Sequence, residues 1–169
     1  MKNVKVKNST IQGKGVFAAK DIKAGAVVLE IDDTHIVTDL SSLSKEQHEF
    51  DCDYLSSGTI VLMQEPEKYI NHSCDPSAYV KTINGVRNVL AMHDIKTGEE
   101  ITYDYSLNSD NEGTFECNCG SSICRRIYNG NFFKLPIEVQ KRYIPYLDSW
   151  FVQEHIEEIE RIKALNYPL

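Results

Sequence analysis

With 169 residues, the chain fits one domain or one domain with a small appendage, and it is long enough to bury about 70% of its unfolded surface in a core. Hydrophobic residues at 41% and charged residues at 25% are ordinary globular values, and no apolar run approaches the roughly 20 residues of a membrane helix. A net charge of −7 and a pI near 5.2 argue against nonspecific duplex binding, which needs Lys and Arg against phosphate. They are compatible with a basic protein or peptide substrate, and equally with simple solubility.

The N-terminus, Met1-Lys2-Asn3-Val4-Lys5, carries charge but no apolar run. No signal peptide is expected, and the default compartment is the cytoplasm; a nuclear protein or one delivered into another cell would read the same. Five cysteines without a secretory signal argue against a disulfide framework. Three of them crowd into 117–124 and point to a metal. Cys52 is expected to be a small buried hydrophobe.

Val4-Lys5-Val6-Lys7 alternates as a half-buried strand does. Asn8-Ser9-Thr10 begins a turn ending at Gly13-Lys14-Gly15, where a missing Cβ would let backbone approach a ligand. Val16 to Ala19 reads as a short buried strand. The turn Asp21 to Gly25 precedes the strand Val27 to Ile31, and the same turn chemistry recurs as Asp94-Ile95-Lys96-Thr97-Gly98 before another strand. His35 to Thr38 is a further short strand. Ser44-Lys45-Glu46-Gln47 has the capping-box form and predicts a helix of two or three turns to about Tyr54. Thr59 to Met63 is a strand, and Asn84-Gly85 joins Tyr79–Ile83 to Val86–Ala91 as a hairpin. Asn108 to Gly113 is polar and acidic, expected as a mobile loop. Beyond Gly130, Pro136 suits a helix start and Pro145 should break that helix. Leu147, Trp150, Phe151, His155, Ile156, Ile159, Ile162 and Leu165 then recur at three- and four-residue steps, predicting an amphipathic helix packed on its own domain. A dimer contact or a substrate-side wall is the alternative use of that face.

Three stretches carry chemistry. Tyr69 to Ser77 gathers an amide, an imidazole, a hydroxyl, a thiol and a carboxylate. Residue by residue it reads as a polar turn, and together as a buried loop that binds something. Thr102-Tyr103-Asp104-Tyr105, as a strand end, puts Tyr103 and Tyr105 on one face, an arrangement that more often means packing than catalysis. Cys117-x-Cys119-x4-Cys124 offers three thiolates, one short of the tetrahedral set zinc prefers. Neither a G-x-G-x-x-G opening a helix nor a phosphate loop is present.

Gly13-Lys14-Gly15-Val16-Phe17, Asn71-His72-Ser73-Cys74-Asp75-Pro76, Gly98-Glu99-Glu100-Ile101-Thr102-Tyr103-Asp104-Tyr105 and Cys117 to Cys124, in this order, resemble the SET-domain protein methyltransferases over roughly residues 4–130. The ordered set is specific where a lone G-x-G is weak. The resemblance implies a mainly β, SET-type fold of short strands and small sheets with a knotted C-terminal segment, a post-SET zinc site and C-terminal helices. It divides the chain into a SET domain (1–116), a zinc segment (117–130) and a helical appendage (131–169). It implies transfer of a methyl group from S-adenosylmethionine to the side-chain amine of lysine in a protein substrate. Lys14, Gly15 and Val16 would hold the methionine end of that cofactor and Asn71 and His72 its adenosine. Phe115 would cover it, and Tyr105 would touch it while orienting the lysine amine. Tyr103 would line the lysine pocket. Cys74 would complete a structural zinc site with Cys117, Cys119 and Cys124.

The chain departs from the family pattern at Lys68-Tyr69-Ile70, where Arg-Phe is frequent before the Asn-His pair, and at Ser77, where Asn is frequent. Two readings from other classes stand beside it. One is a zinc-stabilised SET-like module that binds a peptide without turnover. The other is a metal-dependent hydrolase using His72 and Asp75, which lacks H-E-x-x-H spacing and an open zinc position. Neither membrane nor nucleic acid is expected as a partner, and the oligomeric state is left open.

Overall fold

The computed structural model describes residues 3–55 and 58–165, apart from the side chains of residues 49 and 50. The alternating start forms β1 (Val4–Asn8), which runs antiparallel to β2 (Lys14–Ala18) across a turn whose Gly13 has φ +47°, a conformation glycine adopts without strain. β3 (Val27–Glu30) follows the first Asp-to-Gly turn. Its counterpart turn lies against it, with Ile22 and Ile95 bridged through both backbone groups.

The segment between β3 and residue 70 departs most from expectation. Ser44 does form the capping box: its Oγ accepts the Gln47 N–H (3.1 Å) and Gln47 Oε1 accepts the Ser44 N–H (3.0 Å). The helix it starts is a π-turn over Gln47–Asp51 and stops there, short of Tyr54. Cys52, Asp53 and Tyr54 form β4 (Cys52–Tyr54) and pair with Leu62, Val61 and Ile60 of β5 (Ile60–Leu62). Pairing with the next strand thus overrides the local helical signal. Of the expected strand at His35–Thr38 only a bridge from Ile36 to Val61 remains. Cys52 is half-buried, not enclosed.

β6 (Asn71–His72) is two residues long. β7 (Ala78–Ile83) and β8 (Val86–Ala91) make the expected hairpin, with Asn84 at φ 51° and Gly85 at φ 81°, both in the left-handed region that a two-residue type I′ turn requires. β9 (Glu100–Tyr103) completes the main sheet, ordered β1-β2-β9-β6, while β3-β8-β7 form a second sheet. These sheets enclose a core that includes Val16, Ala18, Ile70, Val89, Ile95 and Ile101.

Asn108 to Gly113 is not a free loop. β10 (Asp110–Glu116) begins within it and pairs with β11 (Ile127–Asn131) across a register irregularity between Asp110 and Thr114. Asn131 Nδ2 donates to the Asp110 carbonyl, and Lys134 forms an ion pair with Glu112, so the polar side chains close the hairpin onto the following turn.

α1 (Ile137–Tyr143) starts immediately after Pro136, and Pro145 sits in a tight turn at Ile144–Tyr146. The single amphipathic helix expected beyond it is two, α2 (Ser149–Glu154) and α3 (Ile156–Ala164), broken at His155 with φ −116° and ψ 36°. There the imidazole packs on the rings of Phe151 and Phe133, with centroids 4.5 and 5.0 Å away. Phe151, Ile159 and Ile162 are buried, whereas Ile156 and Leu165 are exposed, as the change of helix axis dictates. The helices enclose a second core with Phe132, Leu135, Tyr143 and Leu147, against which Met92 and Leu107 also pack. Each such side chain contributes on the order of 1.5–3 kcal/mol by leaving water. Asp148 ties this layer to β7, accepting the Thr82 N–H at 2.6 Å. Among the described residues no helix is long and apolar enough to cross a membrane.

Candidate active site

β9 brings the chemistry-bearing stretches together. On one side Val16 and Phe17 of β2 pair with Ile101 and Glu100; on the other, β6 runs parallel and sets Asn71 beside Thr102 and His72 beside Tyr103. The turn before β2 is locked to this arrangement by Glu100. Its carboxylate accepts from Ser9 Oγ and from Asn71 Nδ2, each at 2.9 Å, and it fills the space a side chain at Gly15 would need, since a Cβ there would collide with Glu100 Oε1. The glycine at 15 therefore admits a carboxylate of the chain itself, where the sequence suggested room for a ligand.

Asn71 Nδ2 also donates to the carbonyls of Lys14 (2.9 Å) and Gln12 (3.3 Å). The amide nitrogen is thus engaged within the protein, leaving the amide oxygen and the backbone for anything bound. Val16 is fully buried in the core, so only its main chain can face a ligand. Lys14 is exposed, its ammonium 4.7 Å above the Tyr69 ring.

His72 is enclosed in the same way. Its Nδ1 accepts the Tyr105 N–H (3.2 Å) and its Nε2 faces Cys74 Sγ (3.6 Å). Burial, opposed by Asp104 and assisted by Arg125, pulls its pKa down to about 4, so the ring is neutral. Both nitrogens are occupied by the protein, and the expected pairing of this imidazole with an adenine edge is not available to the side chain as placed.

Tyr103 and Tyr105 do meet, with ring centroids 5.1 Å apart, although β9 ends at Tyr103. The Tyr105 hydroxyl donates to the Ile70 carbonyl at 2.7 Å. Burial holds both phenols above the usual tyrosine range. Both therefore stay un-ionised near neutrality and neither offers a base. Phe115 on β10 is partly exposed and stacks on Tyr128 of β11 at 4.4 Å; His72 lies between these rings and Tyr105, 5.9 Å from Phe115 and 5.3 Å from Tyr105.

The four cysteines converge as well. The Sγ atoms of Cys74, Cys117, Cys119 and Cys124 all lie within 4.8 Å of one another, and those of Cys74 and Cys117 are 3.7 Å apart. A tetrahedral zinc with bonds of about 2.3 Å sets its sulfurs roughly 3.8 Å apart, so the donor set fits that ion. The N–H groups of Arg125 and Arg126 point at the sulfurs of Cys74 and Cys124, each at 3.4 Å, as donors around metal-bound thiolates do. Burial pushes Cys74 up to about 11. At Cys119, burial is outweighed by the backbone N–H groups and thiols around it, which bring it down to about 7.

Several residues that organise the site carry no strong sequence signal. Asp104, wholly buried, accepts from Arg125 Nη2 (2.9 Å), has Arg125 Nη1 at 2.7 Å, and accepts from the Tyr143 hydroxyl (3.0 Å) and the Ser106 N–H (3.1 Å). Tyr128 donates to the Tyr105 carbonyl at 3.3 Å. The signal for Asp104 was its alternation with Tyr103 and Tyr105, which turns it to the opposite face; a buried charge there demands a partner, and Arg125 follows the last cysteine.

Compared with known proteins, the SET domain matches this chain over residues 13–106, more than half its length. The chain belongs to the SET-domain family. It is 32% identical over 142 residues to the histone-lysine N-methyltransferase trr of Drosophila melanogaster, and 31% over 138 residues to the histone-lysine N-methyltransferase trithorax of Drosophila virilis. It is 30% identical over 139 residues to histone-lysine N-methyltransferase 2B of Homo sapiens. Each match covers 75% of this chain but only 4–6% of the relative, so the SET domain here corresponds to a small part of those proteins. The matched span contains Lys14 to Val16, Asn71 to Cys74 and Tyr103 to Tyr105; the cysteines from 117 onward lie past the end of the SET match.

Proposed function

We propose that this SET domain transfers the methyl group of S-adenosylmethionine to the side-chain amine of a lysine in a protein. The observation that carries the reading is the Tyr103–Tyr105 pair held against the Asn71-His72 strand and the Gly13-to-Val16 turn by one short strand. The cofactor, when bound, supplies an already activated methyl on a sulfonium. What remains for the chain is alignment, which can be worth about 7–11 kcal/mol. The Tyr105 hydroxyl, fixed on the Ile70 carbonyl, orients the amine. Lys14, Gly15 and Val16, largely through their main chain, together with Asn71 and His72 form the cofactor bed, and Phe115 forms its cover. Tyr103 shapes the space beside the amine.

Cys74, Cys117, Cys119 and Cys124 would hold one zinc ion with all four positions filled, a structural site. The division into a SET domain (1–116), a zinc segment (117–130) and a helical appendage (131–169), and a location in the cytoplasm, are parts of the same reading. The substrate is a protein or peptide, and the names of the relatives make histones the first to try. The test is incubation with labelled S-adenosylmethionine and either core histones or a cell lysate, followed by mass spectrometry. Labelled methyl-lysine is the expected product; cofactor binding by calorimetry with no labelled protein in either mixture would support a binding module instead.

A further inference from the structure

One charged group, whose field reaches Tyr103, is used by neither the cofactor bed nor the cysteine site. Arg87 on β8 donates Nε and Nη2 to the two oxygens of Asp33 (2.8 and 2.6 Å) and Nη1 to Asp53 Oδ2 (2.6 Å). Its fork is therefore filled by two aspartates. A third carboxyl, Glu67, stands in the turn that leads into β6 and is only 4% exposed. Its Oε2 is buried without a hydrogen-bond partner among the described residues.

An orphaned buried carboxyl is costly and calls for a reason. Counting charges supplies one: Asp33, Asp53 and Glu67 are three carboxyls against the single guanidinium of Arg87, so with all three ionised two negative charges lack a cation. Asp32 adds to the deficit from the loop after β3. Glu67 is tied to the tyrosine pair in two ways. Its charge is felt at the Tyr103 hydroxyl. Its main-chain carbonyl accepts the N–H of Ile70 at 2.8 Å, which sets Glu67 one turn from the residue that anchors the Tyr105 hydroxyl. Burial, opposed by Arg87 and reinforced by Asp53, Asp33 and Asp32, pushes the Glu67 carboxyl up to about 8. Without a cation it keeps its proton at neutral pH.

We propose that Glu67 is the carboxylate that receives the target lysine's ammonium at the Tyr103 pocket and takes its proton before methyl transfer, which rests on the methyltransferase reading above. The proton passes from nitrogen to Glu67 Oε2 and the nitrogen keeps the electron pair. That pair forms the new N–C bond as the methyl–sulfur bond breaks, leaving a neutral thioether and a methylated ammonium, and Glu67 returns its proton to solvent. The rate then rises with pH through the titration of this carboxyl.

Two measurements separate this from the reading it rests on. In protein labelled with ¹³C at glutamate carboxyls, the Glu67 signal, assigned by its loss in Glu67→Gln, is titrated with and without n-butylammonium, a lysine side-chain mimic. A midpoint lowered by the amine supports the proposal, and an unmoved midpoint overturns it whether or not the protein methylates anything. With labelled cofactor and core histones, or the substrate found in lysate, kcat/KM is then followed from about pH 6 to 10. Loss of general-base help is worth on the order of 10²-fold. Glu67→Gln should fall by that factor near pH 8 and rise only with the free lysine amine, whose ordinary value is about 10.4, whereas Glu67→Asp keeps the earlier rise at a lower rate. Identical profiles for wild type and Glu67→Gln overturn the proposal; should Glu67→Gln fail to melt cooperatively, a Glu67→Asp profile that follows only the free lysine amine does so instead. An amine-sensitive midpoint in a protein that labels no substrate would overturn turnover but keep the cation pocket.

Discussion

Replacing Tyr143 by Phe removes one oxygen from the buried centre that joins the helices to the end of β9. The Tyr143 hydroxyl donates to Asp104 Oδ2 at 3.0 Å and lies 3.4 Å from the Cys74 carbonyl. Both Tyr143 and Asp104 are 1% exposed, so no water replaces the lost donor from the surface. A hydrogen bond to a charged group contributes about 1.5–3 kcal/mol. The ring stays, so the apolar packing of the helical core is untouched and the whole loss is electrostatic. For a chain of this size 1 kcal/mol moves Tm by about 2–4 °C, and the variant should melt roughly 3–12 °C below wild type by calorimetry. Because Tyr143 touches the backbone of a cysteine in the four-thiol cluster, zinc should also leave faster into a chelator. A Tm within about 1 °C of wild type, a shift smaller than a single such bond predicts, together with an unchanged chelation rate, would refute the argument that this hydroxyl joins the two layers.

Tyr105→Phe should leave folding and cofactor affinity intact but lower kcat by on the order of 10²-fold, the cost of losing alignment; unchanged kcat on a verified substrate would end the assignment. Cys124→Ser should drop the metal content, and wild type that was never chelated should carry about one zinc per chain by elemental analysis. Tyr103→Phe removes an oxygen next to the amine and should carry product beyond monomethyl-lysine, read by intact mass; trimethyl-lysine from the unmutated enzyme would show that this hydroxyl sets no limit. Glu67→Gln should also change stability. The native carboxyl is raised, so between the unfolded value near 4.5 and about 8 the folded state binds a proton the unfolded state has released. Wild-type stability therefore falls as pH rises through that window, and the Gln variant should not follow it.

What the sequence revealed divides along a physical line. Hairpins set by local turn chemistry were legible: Asn84-Gly85 demands a type I′ turn wherever it sits, and the register of β7 and β8 follows from it. The cysteine spacing likewise brought three of the four thiols together before any fold was known. What was not legible depends on partners outside the stretch being read. Ser44 begins a helix as its side chain dictates, but Cys52–Tyr54 leaves it because Ile60–Leu62 offers a ladder. Asn108–Gly113 reads as loop until Asn131 and Lys134 close on it. At the site, the chemistry of Asn71, His72 and Gly15 was read as facing a ligand, because a sequence shows which groups are present and not which are already satisfied. Glu100, nearly a hundred residues from Ser9, takes up much of that capacity.

The end of β9 explains why these distant partners matter to one reaction. Tyr103 and Tyr105 turn toward one side and Asp104 toward the other, so the residue that anchors the strand cannot be changed independently of the pair that would handle the amine. Asp104 takes Arg125 from beside the last cysteine and Tyr143 from α1, while Tyr128 reaches over the same backbone to the Tyr105 carbonyl. Side chains 21 to 39 residues along the chain are therefore fixed around one buried carboxylate and its neighbour. Two-residue β6 has too few ladder bonds to hold the Asn71-His72 pair by itself. The position of that pair comes also from the Asn71 bonds to Glu100 and Lys14, from the His72–Tyr105 contact and from the layer behind it. Loss of the helical layer would expose Met92 and Leu107 and leave Asp104 short of a donor. The helices, though remote from the amine, thus help to hold Tyr105 where the Ile70 carbonyl can orient it.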